Sequence, residues 1–200
     1  MGKKHIPPLS SPEALVRWAQ SRDPIRIANM LSIKVHHMNR PESNLPGLTC
    51  LVGNRPSIFV NDAYFEALMR KRREYTEDNI HDDMMQVIAH ELGHSCLHRK
   101  QLRDAPIKEY QIFDVRTSME VEANKFAAGI RIDREELISL LNSEMTILQV
   151  ASEMHVNVNL LIYRIEMLRE EGYSFNELPY LPKNNFIGSI HGPSSDEWEK

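Results

Sequence analysis

The 200-residue sequence predicts an α+β fold, a small three-stranded sheet packed beside a predominantly helical body. Two observations predict it. Short aliphatic runs of strand length are confined to residues 33–60, separated by loops rich in Pro, Asn and Gly. On either side of them apolar residues recur with helical period, behind Ser and Asp residues placed to start helices. With 42% hydrophobic residues, the chain suffices for one domain with a real core, or one domain plus an appendage.

Ser10-Ser11-Pro12-Glu13 opens the first helix, with Ser10 and Glu13 placed for a capping box, and the helix runs to about Gln20. Asp23-Pro24 starts a second, with Asp as the cap and Pro at the first helical position. Ile33 to His37 is a short strand, and residues 38–47 form a loop. Leu48 to Val52 and Ser57 to Val60 are two further strands, joined across Gly53-Asn54-Arg55-Pro56. Asp62 opens a helix running into Lys71-Arg72-Arg73, where flanking Glu74 and Glu77 make a solvated helix end the plainer reading. Over residues 82–99, Met85, Ile88, Ala89, Leu92 and Cys96 fall on one helical stripe. An irregular stretch around Pro106 to Ser118 precedes three helices near 119–130, 133–142 and 146–170. Gly172 stops the last helix before a Pro- and Asn-rich tail, expected to be mobile, that runs to Lys200.

Chemistry is concentrated in His90-Glu91-Leu92-Gly93-His94. His residues at i and i+4 lie one above the other on a helix and can offer two imidazole nitrogens to one Zn²⁺. Glu91 can then take a proton from the metal-bound water. Even with nine His, H-E-x-x-H arises by chance in only about a few per cent of chains this long. The two His point away from the Met85–Cys96 stripe, so one face of the helix is expected to pack into a core and the other to meet a cleft. The second wall of that cleft is expected near 106–118.

A catalytic zinc needs a third protein ligand, with the fourth position left for water. The pattern H-E-x-x-H-x-x-G-x-x-H is excluded, because Leu97 and Lys100 stand where it needs Gly and His. The other common solution is a Glu on a later helix, and Met119 to Ala128 offers Glu120 and Glu122 beside the apolar stripe of Ala123, Phe126, Ala127 and Ile130. Periodicity barely separates the two. Glu120 is preferred because Asn124 lies one turn further on the same side, where its amide can hydrogen-bond a ligating His; Glu122 remains the alternative. His98, one turn beyond His94, reads as a structural or supporting His more than as a cleft residue.

His-Glu-Leu-Gly-His followed about 25 residues later by Glu120-Val121-Glu122-Ala123-Asn124-Lys125-Phe126-Ala127-Ala128 resembles the ImmA/IrrE metallopeptidases, bacterial and phage-borne zinc proteins linked to cleavage or inactivation of repressor-type transcription factors. The resemblance extends to Asp23–Val35, Leu45–Leu48, Ser57–Asn61 and Cys96-Leu97-His98, covering roughly residues 20–170. It implies a zincin-like body, zinc ligands His90, His94 and Glu120, Glu91 as general base, and a repressor-type regulator as protein substrate. Gly129-Ile130-Arg131-Ile132 and the charged stretch from Met69 to Asp83 depart from the family pattern, which bears on the target and not on the chemistry. On this reading residues 1–22 are an N-terminal helical extension, 23–172 the zinc metallopeptidase domain and 173–200 a flexible tail.

Residues 146–171 form a helical hairpin that is helix-turn-helix-like in outline. Glu153, Glu166, Glu170 and Glu171 against Arg164 and Arg169 are the wrong balance for phosphate contact, and the net charge of −4 gives no general attraction to nucleic acid or membranes. No run of eighteen apolar residues exists, the first residues lack the apolar core of a signal peptide, and Cys50 and Cys96 are too few for a disulfide framework. These features fit a reducing cytoplasm. Tyr110, His155, Tyr163 and His191 are all candidates to steady the developing oxyanion, unranked by sequence. The competing reading is a zinc-containing regulatory protein that binds a repressor without cutting it. The sequence leaves the oligomeric state open.

Overall fold

The computed structural model of the chain describes residues 5–71, 76–104 and 118–175. In chain order its elements are α1 (Pro12–Ala19), α2 (Pro24–Met30), β1 (Lys34–Met38), β2 (Gly47–Val52), β3 (Arg55–Asn61), α3 (Asp62–Lys71), α4 (Glu77–Leu97), α5 (Arg99–Asp104), α6 (Ser118–Arg131), α7 (Arg134–Leu141), α8 (Ile147–Glu153) and α9 (Val158–Glu170). The fold is α+β, as the sequence predicts. Arg72, Arg73, residues 106–117 and the tail from residue 176 lie outside the described residues, so the expected second cleft wall and most of the tail do too.

The three strands run in the order β1-β3-β2, with β1 parallel and β2 antiparallel to β3. Gly53 and Asn54 both take left-handed φ, 55° and 64°, and so close the β2–β3 hairpin in two residues. The connection is tighter than the four residues read from sequence, and Arg55 and Pro56 belong to β3. Val35, Ile58 and Thr49 share one register row. Side chains of one row point to one face, and Ile58 and Val60 on that face are fully buried. That face covers α4, which packs against β2, β3, α2 and α6.

Two helix starts differ from expectation. At α1 the cap is Ser11, whose hydroxyl accepts from the Ala14 N–H at 3.4 Å. No Ser10–Glu13 box forms, because Pro12 takes the first helical position and the Glu13 carboxylate accepts from the Arg164 guanidinium at 2.6 Å instead. The α4 helix starts earlier than residue 82, behind a Thr76–Asn79 capping box, and α5 follows it where the sequence showed no element. Asp23 caps α2 as expected, accepting from the Ile25 N–H at 2.8 Å.

The first helix is tied into the body. Leu15 and Ala19 are buried in the common core, and Pro12 lies so close to Gly129 of α6 that a Cβ there would meet its Cγ at 2.5 Å. Arg22 donates to the carbonyls of Gly129, Ile130 and Ile132, each at 3.1 Å, and pairs with Asp133 at 2.6 Å. It thereby satisfies orphan carbonyls at the C-terminal end of α6. On the other side α9 packs on α6 and buries Leu160, Leu161, Ile165 and Leu168. Among the described residues no helix is long and apolar enough to cross a membrane.

The expectation for the H-E-x-x-H helix needs correction. α4 is not half core and half cleft, since every residue from Met85 to Gly93 is buried. Its His-bearing face is covered by α6, which comes close because Gly93 and Ala123 meet where the helices cross: a Cβ on Gly93 would stand 3.1 Å from the Ala123 Cα.

Candidate metal centre

His90 and His94 sit one turn apart on α4, their rings 4.7 Å apart and inclined at 74°, with their Nε2 atoms 3.0 Å from each other. α6 brings Glu120 to the same point: Oε2 is 3.2 Å from His90 Nε2 and Oε1 is 3.3 Å from His94 Nε2. One ligating atom from each of the three lies within 4.8 Å of the others. Side-chain exposure is 0% at His90 and 6% at Glu120, so the charge of the carboxylate is largely shielded from water.

Neighbouring groups orient this set. His90 Nδ1 donates to Asn124 Oδ1 at 2.8 Å, one turn along α6 from Glu120. The amide nitrogen of Asn124 in turn donates to the Tyr163 hydroxyl at 3.4 Å, which keeps the amide oxygen towards His90. In its neutral form, with the proton on Nδ1, His90 offers a lone pair on Nε2 towards Glu120, as a metal ligand must. His94 Nδ1 lies 2.9 Å from His98 Nδ1, and His98 Nε2 lies 3.3 Å from Glu122 Oε2. Glu122 is therefore the partner of His98, and its side chain is 56% exposed.

Burial alone would push the Glu120 carboxyl upward, but hydrogen bonds and charge from His90 and His94 outweigh it and hold the group at about 2. Burial lowers His94, yet the Glu120 hydrogen bond and the carboxylates of Glu91 and Glu120 raise it overall. His98 is lowered, by burial first and then by the charge of His94. Burial raises the Tyr163 hydroxyl. Two ring nitrogens and an ionised carboxylate so close together need a positive charge between them, either a proton or a metal ion. The donor set fits a metal. Two nitrogens and one oxygen suit zinc, and tetrahedral ligands about 2.1 Å from an ion stand about 3.4 Å apart, close to the 3.0–3.3 Å seen here.

Glu91 is 2% exposed, and its Oε2 accepts from the Thr49 hydroxyl at 2.8 Å. The same hydroxyl is 2.9 Å from the Glu91 carbonyl oxygen. Sequence reasoning missed Thr49. Its signal is the alternation of β2, which puts Thr49 on the inward face in register with Ile58, where a hydroxyl must find a partner. Gly47 lets β2 come down on α4, because a Cβ there would be 2.8 Å from Val87 Cγ1 and 3.4 Å from Glu91 Cγ.

The structure thus brings His90, His94 and Glu120 together, with Glu91 next to His90 along α4 and its charge acting on His94, and leaves Glu122 outside. Of the residues considered for the oxyanion, Tyr163 stands at Asn124, within the network around the centre. His155 is exposed and lies 3.6 Å from Asp82, about 12 Å along α4 before His90. Tyr110 and His191 lie outside the described residues. Cys96 is buried on α4, and burial pushes its thiol up to about 12.

Two imidazoles one helical turn apart on a central helix, faced by a carboxylate from a later helix, are compatible with the metal centre of a metallopeptidase-type protein. Residues 75–166 match the family model of the IrrE N-terminal-like domain, a peptidase family. The match agrees with the resemblance carried by the two helix motifs. No curated protein and no solved structure matches the chain.

Proposed function

We propose that the chain is a zinc-dependent endopeptidase that hydrolyses a peptide bond in a repressor-type transcriptional regulator, with His90, His94 and Glu120 as metal ligands and Glu91 as general base. The observation that carries this reading is the convergence of the two Nε2 atoms and the Glu120 carboxylate within 3.0–3.3 Å of one another. Zinc held there would act as a Lewis acid and lower the pKa of water towards about 7.

Glu91 takes the proton of the attacking water and returns it to the leaving amine. Thr49 engages one oxygen of that carboxylate, which leaves the other for proton transfer and holds the side chain in one rotamer. Asn124 keeps the proton of His90 on the nitrogen away from the centre. The repressor-type target rests on the likeness of the two helix motifs to ImmA/IrrE proteins, to which the geometry of the centre is indifferent. The domain responsible is taken as residues 23–172, with α1 packed against it. A cytoplasmic location accords with Cys50 and Cys96 both being free thiols.

One observation favours the competing reading, a zinc-containing protein that binds a repressor without cutting it: Glu91 and His90 are almost wholly buried. Glu91→Gln separates the two. An endopeptidase keeps its zinc and loses cleavage of its target, whereas a binding protein keeps both its zinc and its activity. Metal analysis of Glu120→Ala and Glu122→Ala completes the test. Loss of zinc with Glu122→Ala and retention with Glu120→Ala would overturn the ligand assignment.

A further inference from the structure

We infer that His98 and Glu122 form a positioning relay that sets which nitrogen of His94 carries its proton, and so decides how well His94 binds the ion; the inference rests on the metal-site reading above. Two Nδ1 atoms 2.9 Å apart cannot both carry hydrogen. One of them donates and the other accepts. The direction is decided at the far end. Glu122 Oε2 faces His98 Nε2 at 3.3 Å, and a carboxylate accepts only, so the hydrogen of His98 sits on Nε2.

His98 Nδ1 then offers a lone pair, His94 Nδ1 donates into it, and the lone pair of His94 is left on Nε2. That nitrogen lies 3.3 Å from Glu120 Oε1 and 3.0 Å from His90 Nε2. The reverse order would put a hydrogen on His94 Nε2, where the ion must bind. His90 is set in the same sense by Asn124. Thus α6 provides Glu120 and, two and four residues on, the groups that prepare each imidazole. His98 is itself fixed in place, being 4% exposed, and its own N–H bonds to the His94 carbonyl at 3.0 Å as the C-cap of α4.

The test is zinc affinity of the full chain, measured by competition with a chromogenic chelator. His98→Leu removes the acceptor and should weaken zinc binding about 10- to 100-fold, the usual effect of losing an outer partner of a ligating His. His98→Asn places an amide oxygen where Nδ1 stood and should recover most of that loss. A purely structural role predicts lower thermal stability in both variants with zinc affinity unchanged, and that result overturns the relay. Glu122→Ala carries the same test without disturbing a buried side chain, and should weaken zinc several-fold. Proton–nitrogen correlation spectra of the zinc-loaded protein add an independent reading. His98 should show hydrogen on Nε2 alone, and hydrogen on Nδ1 overturns the inference. Wild type that binds no zinc sinks the metal reading itself, while wild type that binds zinc only as tightly as His98→Leu sinks the relay alone.

Discussion

Gly93→Ala tests whether the approach of two helices builds the centre. An alanine in place of an interior helical glycine gains about 1 kcal/mol of helix propensity. Against that gain, the new Cβ would stand 3.1 Å from Ala123 Cα, 3.2 Å from the Ala123 carbonyl oxygen and 3.2 Å from Phe126 Cβ. The first two are backbone atoms of α6, so no side chain can swing aside and the helix must move by a few tenths of an ångström. Overpacking of this kind typically costs about 1–3 kcal/mol, so the two effects sum to a net loss of about 0–2 kcal/mol. For a chain of this length each kcal/mol lowers Tm by about 2–4 °C. The effect on metal should be larger than the effect on stability. Glu120 is one turn from Ala123, and a metal site tolerates only about 0.2 Å of ligand displacement. Zinc affinity should therefore fall about tenfold or more, with Gly93→Val worse than Gly93→Ala on both counts. Thermal unfolding with and without zinc, beside chelator competition, measures the pair. An alanine variant stabilised by about 1 kcal/mol with unchanged zinc affinity would refute the packing argument.

Three other outcomes are expected. Thr49→Val removes a hydrogen bond to a buried carboxylate, a contact worth about 1.5–3 kcal/mol, and should lower kcat at least about tenfold while leaving KM and zinc content unchanged; steady-state kinetics with metal analysis checks this. Arg22→Ala uncaps the C-terminal end of α6 and orphans three carbonyls, so urea denaturation should show a loss of about 1–3 kcal/mol. The pH dependence of the metal-free protein follows from two shifts. Glu120 is held at about 2 against an ordinary 4.5, so its contribution is complete above pH 4.5 and lost as the pH falls towards 2. His94 is raised above 6.5, so its contribution is complete below pH 6.5 and lost as the pH rises through the raised value. The Tm gap between wild type and Glu120→Gln, both metal-free, should therefore be widest between pH 4.5 and 6.5 and shrink on either side. A gap that stays constant from about pH 3 to about pH 8 contradicts the coupling.

Local periodicity carried most of what was legible in the chain. The i, i+4 spacing of His90 and His94 puts both imidazoles on one face wherever the helix lies, because the backbone geometry of a helix is set locally. The same holds for Asp23-Pro24 as a helix start and for the alternation of β2 and β3, which depend on neighbours a few residues away. Asn124 beside Glu120 was legible too, since one helical turn separates them. The tertiary structure decided whatever depends on which faces meet. Glu120 and Glu122 flank the same apolar stripe, and only the close crossing at Gly93 and Ala123 turns Glu120 to the two His and leaves Glu122 to His98. That crossing also buries the His-bearing face expected to line an open cleft. Thr49 reaches Glu91 from 42 residues away, and Glu13 abandons a local capping box for a buried guanidinium 151 residues distant. A buried charge without a partner is costlier than an uncapped N–H at a helix end that water can satisfy. Residue spacing sets direction about a helix axis, whereas partners far along the chain are chosen by packing and by the need to satisfy every buried polar group.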